Sequence, residues 1–278
     1  MRWRLDRTIS LAAAMRPPQR DGHGQVLPIL MYHSVSDEEH DGGHPYYQTN
    51  TRPERFVEHM KWLRDHEYQS VDLERGWQGL IDGSLIPRAI CITFDDGFYD
   101  LLHCVWPVLE SYGFSATMFI PTEFMAMPRQ TFKGRTCLTW PEVRRLHEAG
   151  MRFGSHSMTH AELHRLPDTN LRRELVESRA LLEDHVHEPV TTFAHPYAFP
   201  SEDRDYVVRL RDALEDAGYT RGVTTRVGRA RTSQDPLLLP RIPVNSHDDI
   251  ALFAAKVRGA YDWVGAVQRA SRSLRRAA

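Results

Sequence analysis

Ala89-Ile90-Cys91-Ile92-Thr93-Phe94-Asp95-Asp96-Gly97 is the stretch from which the rest of the chain is read. Its first half is an apolar run of strand length, the pattern of a strand buried on both faces of a parallel sheet. Its second half places two adjacent carboxylates and a glycine at the mouth of that strand. The two acids repel each other, and no cation stands near them in the sequence. A bound metal resolves the conflict: one carboxylate ligates it and the other is left to move protons. A helix N-terminus would stabilise the acids through its dipole, but Gly97 suits that reading poorly.

On either side of this strand, from Gln25 on, strand-like and helix-like segments alternate. Further strands are expected at 26–32, 68–73, 116–120, 151–155, 190–194 and 219–224. Helices are expected at 53–66 with Thr51 as cap, at 74–81, and at 99–112 closed by Gly113. Another opens at Thr139 with Pro141 in its first turn and ends at Gly150; two more cover 168–186 and 204–217. Repeated β-then-α units indicate an α/β fold with a parallel sheet and helices outside it. About seven units favour a closed or nearly closed barrel over an open sheet, a choice that periodicity alone leaves open. In either case ligands gather at the C-terminal ends of the strands, and the polar clusters of interest lie just after expected strands. Segments 34–52 and 122–136 are polar loops above those ends, read equally as walls of a substrate groove or as solvated surface.

The 278 residues suffice for one large domain and not comfortably for two. The expected division is an extension at 1–24, a barrel at 25–248 and an amphipathic basic helix at 249–278. A formal charge of −2 gives no global pull toward nucleic acid. Cys91, Cys104 and Cys137 are odd in number and far apart, with no C-x-x-C, and read as idle thiols in a reducing compartment. The N-terminal apolar run Ile9 to Met15 is short and followed by Arg16, Arg20 and Asp21. A cleaved signal peptide is therefore not expected, and the compartment expected is the cytoplasm, with association with a membrane as the alternative. No run is long enough to span a bilayer. At the other end Leu252, Phe253, Val257, Tyr261, Val264 and Val267 recur at helical spacing before Arg269, Arg272, Arg275 and Arg276. Packing on the barrel is favoured for this stripe; peripheral contact with an anionic membrane surface is the alternative.

Gly154-Ser155-His156-Ser157-Met158-Thr159-His160 follows its strand directly. Two histidines four residues apart on one turn can aim both imidazoles at one ion. In a chain with fifteen histidines the pair alone is weak. Joined with Asp96 it supplies two nitrogens and one oxygen, which leaves a divalent ion open positions for water and substrate.

Thr93-Phe94-Asp95-Asp96-Gly97 and His156-Ser157-x-x-His160 resemble the first two motifs of the polysaccharide deacetylases, the NodB-homology carbohydrate esterases. Leu30-Met31-Tyr32-His33-Ser34-Val35 is similar to the start of a permuted subgroup typified by biofilm poly-N-acetylglucosamine deacetylases. Phe193-Ala194-His195-Pro196-Tyr197 resembles the third motif, and Leu239-Pro240-Arg241-Ile242-Pro243-Val244 a late segment of the same subgroup. The likeness runs from Val26 to Val244.

This resemblance implies a distorted (β/α)7-type barrel with parallel strands. It implies metal-dependent removal of N-acetyl groups from a sugar in a polysaccharide, oligosaccharide or glycolipid. An O-acetyl esterase, or a carbohydrate-binding protein without turnover, are the alternatives on the same scaffold. By resemblance Asp96, His156 and His160 bind one divalent ion, zinc first, then cobalt or nickel. Asp95 is the general base, His33 the general acid and the Tyr197 backbone N–H an oxyanion donor, with Pro196 and Tyr197 against the substrate. A core role for His33 is the competing reading. Many relatives carry an arginine where Ala194 stands, so Arg241 is the candidate to orient Asp95, with a surface ion pair as the equal alternative. Ala198 stands in place of a common glycine and would be strained at positive φ; His195 stands in place of a common tyrosine.

Overall fold

Seven parallel strands close into a ring in chain order in the computed structural model, which describes residues 4–15, 25–38 and 45–268. They are β1 (Ile29–Tyr32), β2 (Ala89–Phe94), β3 (Thr117–Ile120), β4 (Arg152–Ser155), β5 (Thr192–Ala194), β6 (Arg221–Val227) and β7 (Leu239–Pro243). Closure is made by β1, where Leu30 stands opposite Ile242 of β7 on one side and Ile92 of β2 on the other. The helices are α1 (Leu5–Ala14), α2 (Pro53–Asp65), α3 (Leu73–Asp82), α4 (Trp106–Tyr112), α5 (Trp140–Glu148), α6 (Asp168–Val186), α7 (Arg204–Asp216) and α8 (Ile250–Val257).

β1, β2 and β3 read as nearly unbroken apolar runs because both of their faces are covered. With a side-chain period of two, Ile29, Cys91, Phe119, Ala194, Val223 and Leu239 form an inner cluster together with Leu73, Trp77 and Leu80 of α3. Leu30, Ile90, Ile92, Met118 and Ile242 belong to the larger cluster shared with the surrounding helices. Burial of each such side chain contributes ~1.5–3 kcal/mol relative to exposure. Gly154 of β4 is required by this packing: a Cβ there would lie 2.6 Å from the Phe119 ring and 2.5 Å from Thr192 Oγ1.

The barrel expected from the repeating units is present, with one strand exchanged. Of the stretch 68–73 only Gln69–Ser70 is extended, and it pairs with the start of β2 outside the ring. The seventh member is β7, whose Pro240 and Pro243 disguise it, since proline cannot donate to a ladder. Pro240 is tolerated because the register shifts there: Val223 faces Leu239 and Val227 faces Arg241, so four residues of β6 span two of β7.

Other elements differ locally. Segment 99–112 divides into a π-helical turn, Leu101–Val105, and α4, with Pro107 in the first turn of α4. Thr51 does not cap α2; it lies in a short strand, Asn50–Thr51, paired with Ser34–Val35, and Arg52 occupies the cap without a side-chain bond. Thr139 opens α5 as expected, with Glu142 reaching back to its N–H and hydroxyl at 2.9 Å. The long C-terminal helix is interrupted: α8 ends at Val257, Gly259 takes φ +92°, and helical geometry resumes over 262–268. Leu252, Phe253, Val257, Tyr261 and Val264 are buried. Arg269, Arg272, Arg275 and Arg276 lie outside the described residues, as do 1–3, 16–24 and 39–44. The three cysteines are free, with Cys91 and Cys137 buried. Among the described residues no helix is long and apolar enough to cross a membrane.

Candidate active site

The C-terminal ends of β1, β2, β4, β5 and β7 meet at one mouth of the barrel. Asp95 and Asp96 follow β2 directly and are both buried. Asp96 adopts φ +75° and Gly97 φ +68°. This left-handed turn swings the two carboxylates to different neighbours, and a Cβ on Gly97 would come 2.7 Å from Met125 Cε. Gly97 therefore answers a steric demand of the turn.

Asp96 faces the histidine loop that follows β4. His160 Nε2 lies 3.2 Å and His156 Nε2 3.7 Å from Asp96 Oδ1. One ligand atom from each of the three residues falls within 4.8 Å of the others, and all three side chains are buried. His156 Nδ1 is 2.8 Å from the Ala194 carbonyl. A carbonyl only accepts, so Nδ1 carries the proton and Nε2 presents its lone pair to the cluster, the orientation seen in metal-ligating imidazoles. Burial holds the His156 pKa down to about 3, so the ring is neutral and able to donate electrons. Burial alone would raise Asp96, but the His160 hydrogen bond and the surrounding positive groups bring it well below the carboxylate range. Two imidazoles and one ionised carboxylate, buried and convergent, are a donor set that fits a divalent ion such as zinc, cobalt or nickel.

Asp95 turns instead toward β7. Arg241 is fully buried and grips Asp95 with two bonds, Nη1 to Oδ1 and Nη2 to Oδ2, each 2.7 Å. Its Nη1 also donates to Thr93 Oγ1 at 3.2 Å and its Nε to the Thr224 carbonyl at 3.2 Å. The surface ion pair considered from sequence is thereby excluded. Burial pushes the Asp95 pKa up, and the guanidinium outweighs it, so Asp95 remains an anion below its ordinary value. Oδ2 of Asp95 is also 3.9 Å from Nε2 of both His33 and His156. His33, just past β1, thus belongs to the site; burial lowers its pKa, with the two aspartates pulling the other way.

The third-motif turn after β5 completes the wall. Pro196 is buried, while Tyr197 is exposed and sets its ring edge-on to His160 at 4.4 Å. The positive φ of this turn falls on Tyr197 (+59°) and not on Ala198, so the strain expected at Ala198 is absent. His195 is buried and bonded through Nε2 to Tyr206 Oη at 2.7 Å, a packing role behind the mouth. Of the eight non-glycine residues with positive φ among those described, Asp96, Lys133, Ser157, His160 and Tyr197 are in or over this site. Each costs of order 1–3 kcal/mol, and such strain collects where function over-determines the backbone.

Lys133 is the residue that sequence reading missed. The expected loop 122–136 contains a hairpin, Thr131–Phe132 with Arg135–Thr136, turned by Lys133 and Gly134, both at positive φ. The Lys133 ammonium lies 3.2 Å from Asp96 Oδ2 and 3.4 Å from His160 Nε2, over the rings of Phe132 and Tyr197. The Lys-Gly pair was the available signal, since it suits a tight turn between strands.

A family model described as polysaccharide deacetylase matches residues 82–222, which include the Asp-Asp turn, the histidine loop and the third-motif turn. The chain belongs to the polysaccharide deacetylase family. It is 29% identical over 232 residues to YxkH of Bacillus subtilis (strain 168), a polysaccharide deacetylase by name, covering 83% of this chain and 76% of that one. It is 23% identical over 203 residues to the poly-beta-1,6-N-acetyl-D-glucosamine N-deacetylase of Staphylococcus aureus (strain MSSA476), covering 69% of this chain and 66% of the relative. Among solved structures, the Streptococcus pyogenes deacetylase PplD in complex with acetate superposes with a TM-score of 0.72 at 21% identity, over 84% of this chain and 99% of that one. Within the deacetylase barrel, Arg241 of β7 makes the contact to Asp95 for which the sequence offered it as a candidate.

Proposed function

We propose that this polysaccharide deacetylase is a metal-dependent N-deacetylase acting on N-acetylglucosamine or a related N-acetylated sugar in a glycan or glycolipid. The observation that carries the reading is the convergence of Asp96, His156 and His160 beside a second aspartate held by Arg241. The name of the Staphylococcus aureus relative supports the choice of sugar.

Asp96, His156 and His160 would hold the ion. A divalent ion so held supplies Lewis acidity, polarising the amide carbonyl and acidifying the attacking water. Asp95 takes the proton that the water sheds; the bidentate Arg241 keeps it ionised and fixes its plane. The backbone N–H of Tyr197 donates to the oxyanion as charge develops. His33 protonates the departing amine, which is a poor leaving group without that proton. The exposed Tyr197 ring offers an apolar face to a sugar at the mouth.

The test is acetate release from N-acetylglucosamine oligomers, with and without chelator, beside elemental analysis of the protein. Asp96→Asn and His156→Ala are expected to lose both ion and activity. Asp95→Asn is expected to lose activity by ~10²–10⁴-fold while keeping the ion. An Asp95→Asn protein that also loses its ion would overturn the division of labour between the two aspartates. Turnover confined to O-acetylated sugars would indicate the esterase instead.

A further inference from the structure

The histidine loop between β4 and α6 is held from behind by two polar side chains on the buried face of α6. That face otherwise consists of Leu171, Leu175, Leu182 and Val186. Ser178 Oγ lies 2.7 Å from Ser155 Oγ, which accepts the Ser157 N–H at 3.1 Å. Glu174, 4% exposed, accepts the Met158 and Thr159 N–H groups through Oε2, both at 2.9 Å, and the Thr159 hydroxyl through Oε1 at 2.7 Å. Among the described residues no cation pairs with Glu174, so its charge is balanced by the loop alone. A carboxylate is buried without a counter-ion only where several good donors converge on it.

The two imidazoles depend on this loop unequally. His156 is oriented by its own bond to the Ala194 carbonyl. His160 Nδ1 has no hydrogen-bond partner among the described residues, and its ring is bounded by Phe132 and Tyr197. With no anchor on Nδ1, the direction of His160 depends on its backbone, which takes φ +56° directly after the Met158 and Thr159 amides that Glu174 holds. A ligating side chain must be kept within a fraction of an ångström of its productive place, and the groups behind it do this.

From these contacts we infer that Glu174 is the positioning residue for His160, acting on metal binding through the 158–159 amides. The inference rests on the metal reading above. It is tested by titrating Co2+ against a chromophoric chelator and recording the Co2+ absorption spectrum for the wild type, Glu174→Ala, His160→Ala and the double variant. Removing Glu174 is expected to weaken Co2+ binding about 10–100-fold and to alter the spectrum. The double variant is expected to bind no more weakly than His160→Ala alone, because both changes act on one ligand. Glu174→Gln, which keeps an acceptor for the amides, is expected to recover most of the affinity. If Glu174→Ala does not fold, Glu174→Asp, whose shorter arm falls short of the amides, replaces it in the same cycle. Wild-type affinity in Glu174→Ala or Glu174→Asp, or losses that multiply in the double variant, would overturn the role of Glu174. A wild type that binds neither Co2+ nor Zn2+ stoichiometrically would instead sink the metal reading, and this inference with it.

Discussion

Asp95 and Asp248 are two buried aspartates, each in an ion pair with a buried cation at 2.7 Å, yet they serve different ends. Asp248 lies near the start of α8. It accepts the Asn245 N–H and the Lys256 ammonium on one oxygen, with Arg4 3.6 Å from the other, and Lys256 also donates to the Pro243 carbonyl. These contacts tie α8 and the N-terminal segment to the end of β7. Around Asp95 the arginine fixes the carboxylate, and the remaining neighbours are His33 and His156, on backbone that turns through positive φ. A buried charge is therefore not in itself the mark of an active site. The marks here are strained backbone and titratable side chains converging from separate strands.

The comparison would be broken most forcefully at Arg241. Arg241→Met leaves the Asp95 carboxylate buried and unpaired, which costs ~3–5 kcal/mol of stability. It also frees the proposed general base, and kcat/KM for acetate release is expected to fall about 10²–10⁴-fold. Arg241→Lys keeps the charge without the two-pronged grip and should fall between. Near-normal turnover in the folded Arg241→Met protein would place this pair beside Lys256–Asp248 as a purely structural one.

His33 gives a smaller and pH-dependent contrast. In the proposed mechanism its protonated form donates to the leaving amine, so kcat should decline as pH rises through the His33 pKa. Burial sets that pKa below the ordinary value of 6.5, and the alkaline limb should appear accordingly. Asp95 must be ionised to act, and it protonates only below its ordinary 3.8, so the acid limb should lie lower still. A pH–rate profile checks both limbs. His33→Ala should lose about 10²-fold or more in kcat, keep its ion and lose the alkaline limb. Unchanged turnover would return His33 to the core.

Lys256 is expected to affect catalysis least. Lys256→Met should leave kcat/KM within about twofold while the melting temperature falls, since Asp248 loses its buried partner and keeps only Arg4 and the Asn245 N–H, at a cost of at most ~3–5 kcal/mol. Replacing both partners by apolar residues should restore part of that loss. A large loss of turnover in folded Lys256→Met, measured well below its melting temperature, would erase the distinction between the two pairs.

How far the sequence could be read depended on the range of each determinant. The strand ending in Asp95-Asp96-Gly97, the helix over 168–186 and the capping pair Thr139–Glu142 are encoded by residues within a turn or two, and they appear where expected. The seventh strand was hidden by its prolines, because a bulge that excuses Pro240 exists only once β6 lies alongside. Lys133 was hidden for a similar reason: a hairpin tip gains meaning from what lies beneath it. Glu174 left only a faint trace, a charged residue within the apolar face of α6.

The sequence by itself determined the alternation of strands and helices, and it placed the chemically loaded residues just past strand ends, because backbone geometry and hydrophobic period are local properties. Only the tertiary structure decided that Arg241 grips Asp95, that His33 joins the same mouth and that α6 braces the histidine loop. Closing the barrel brings Asp95 and Arg241, 146 positions apart, within hydrogen-bond reach. Charge, burial and orientation at that distance follow from the packing of the whole ring and from no single segment of it.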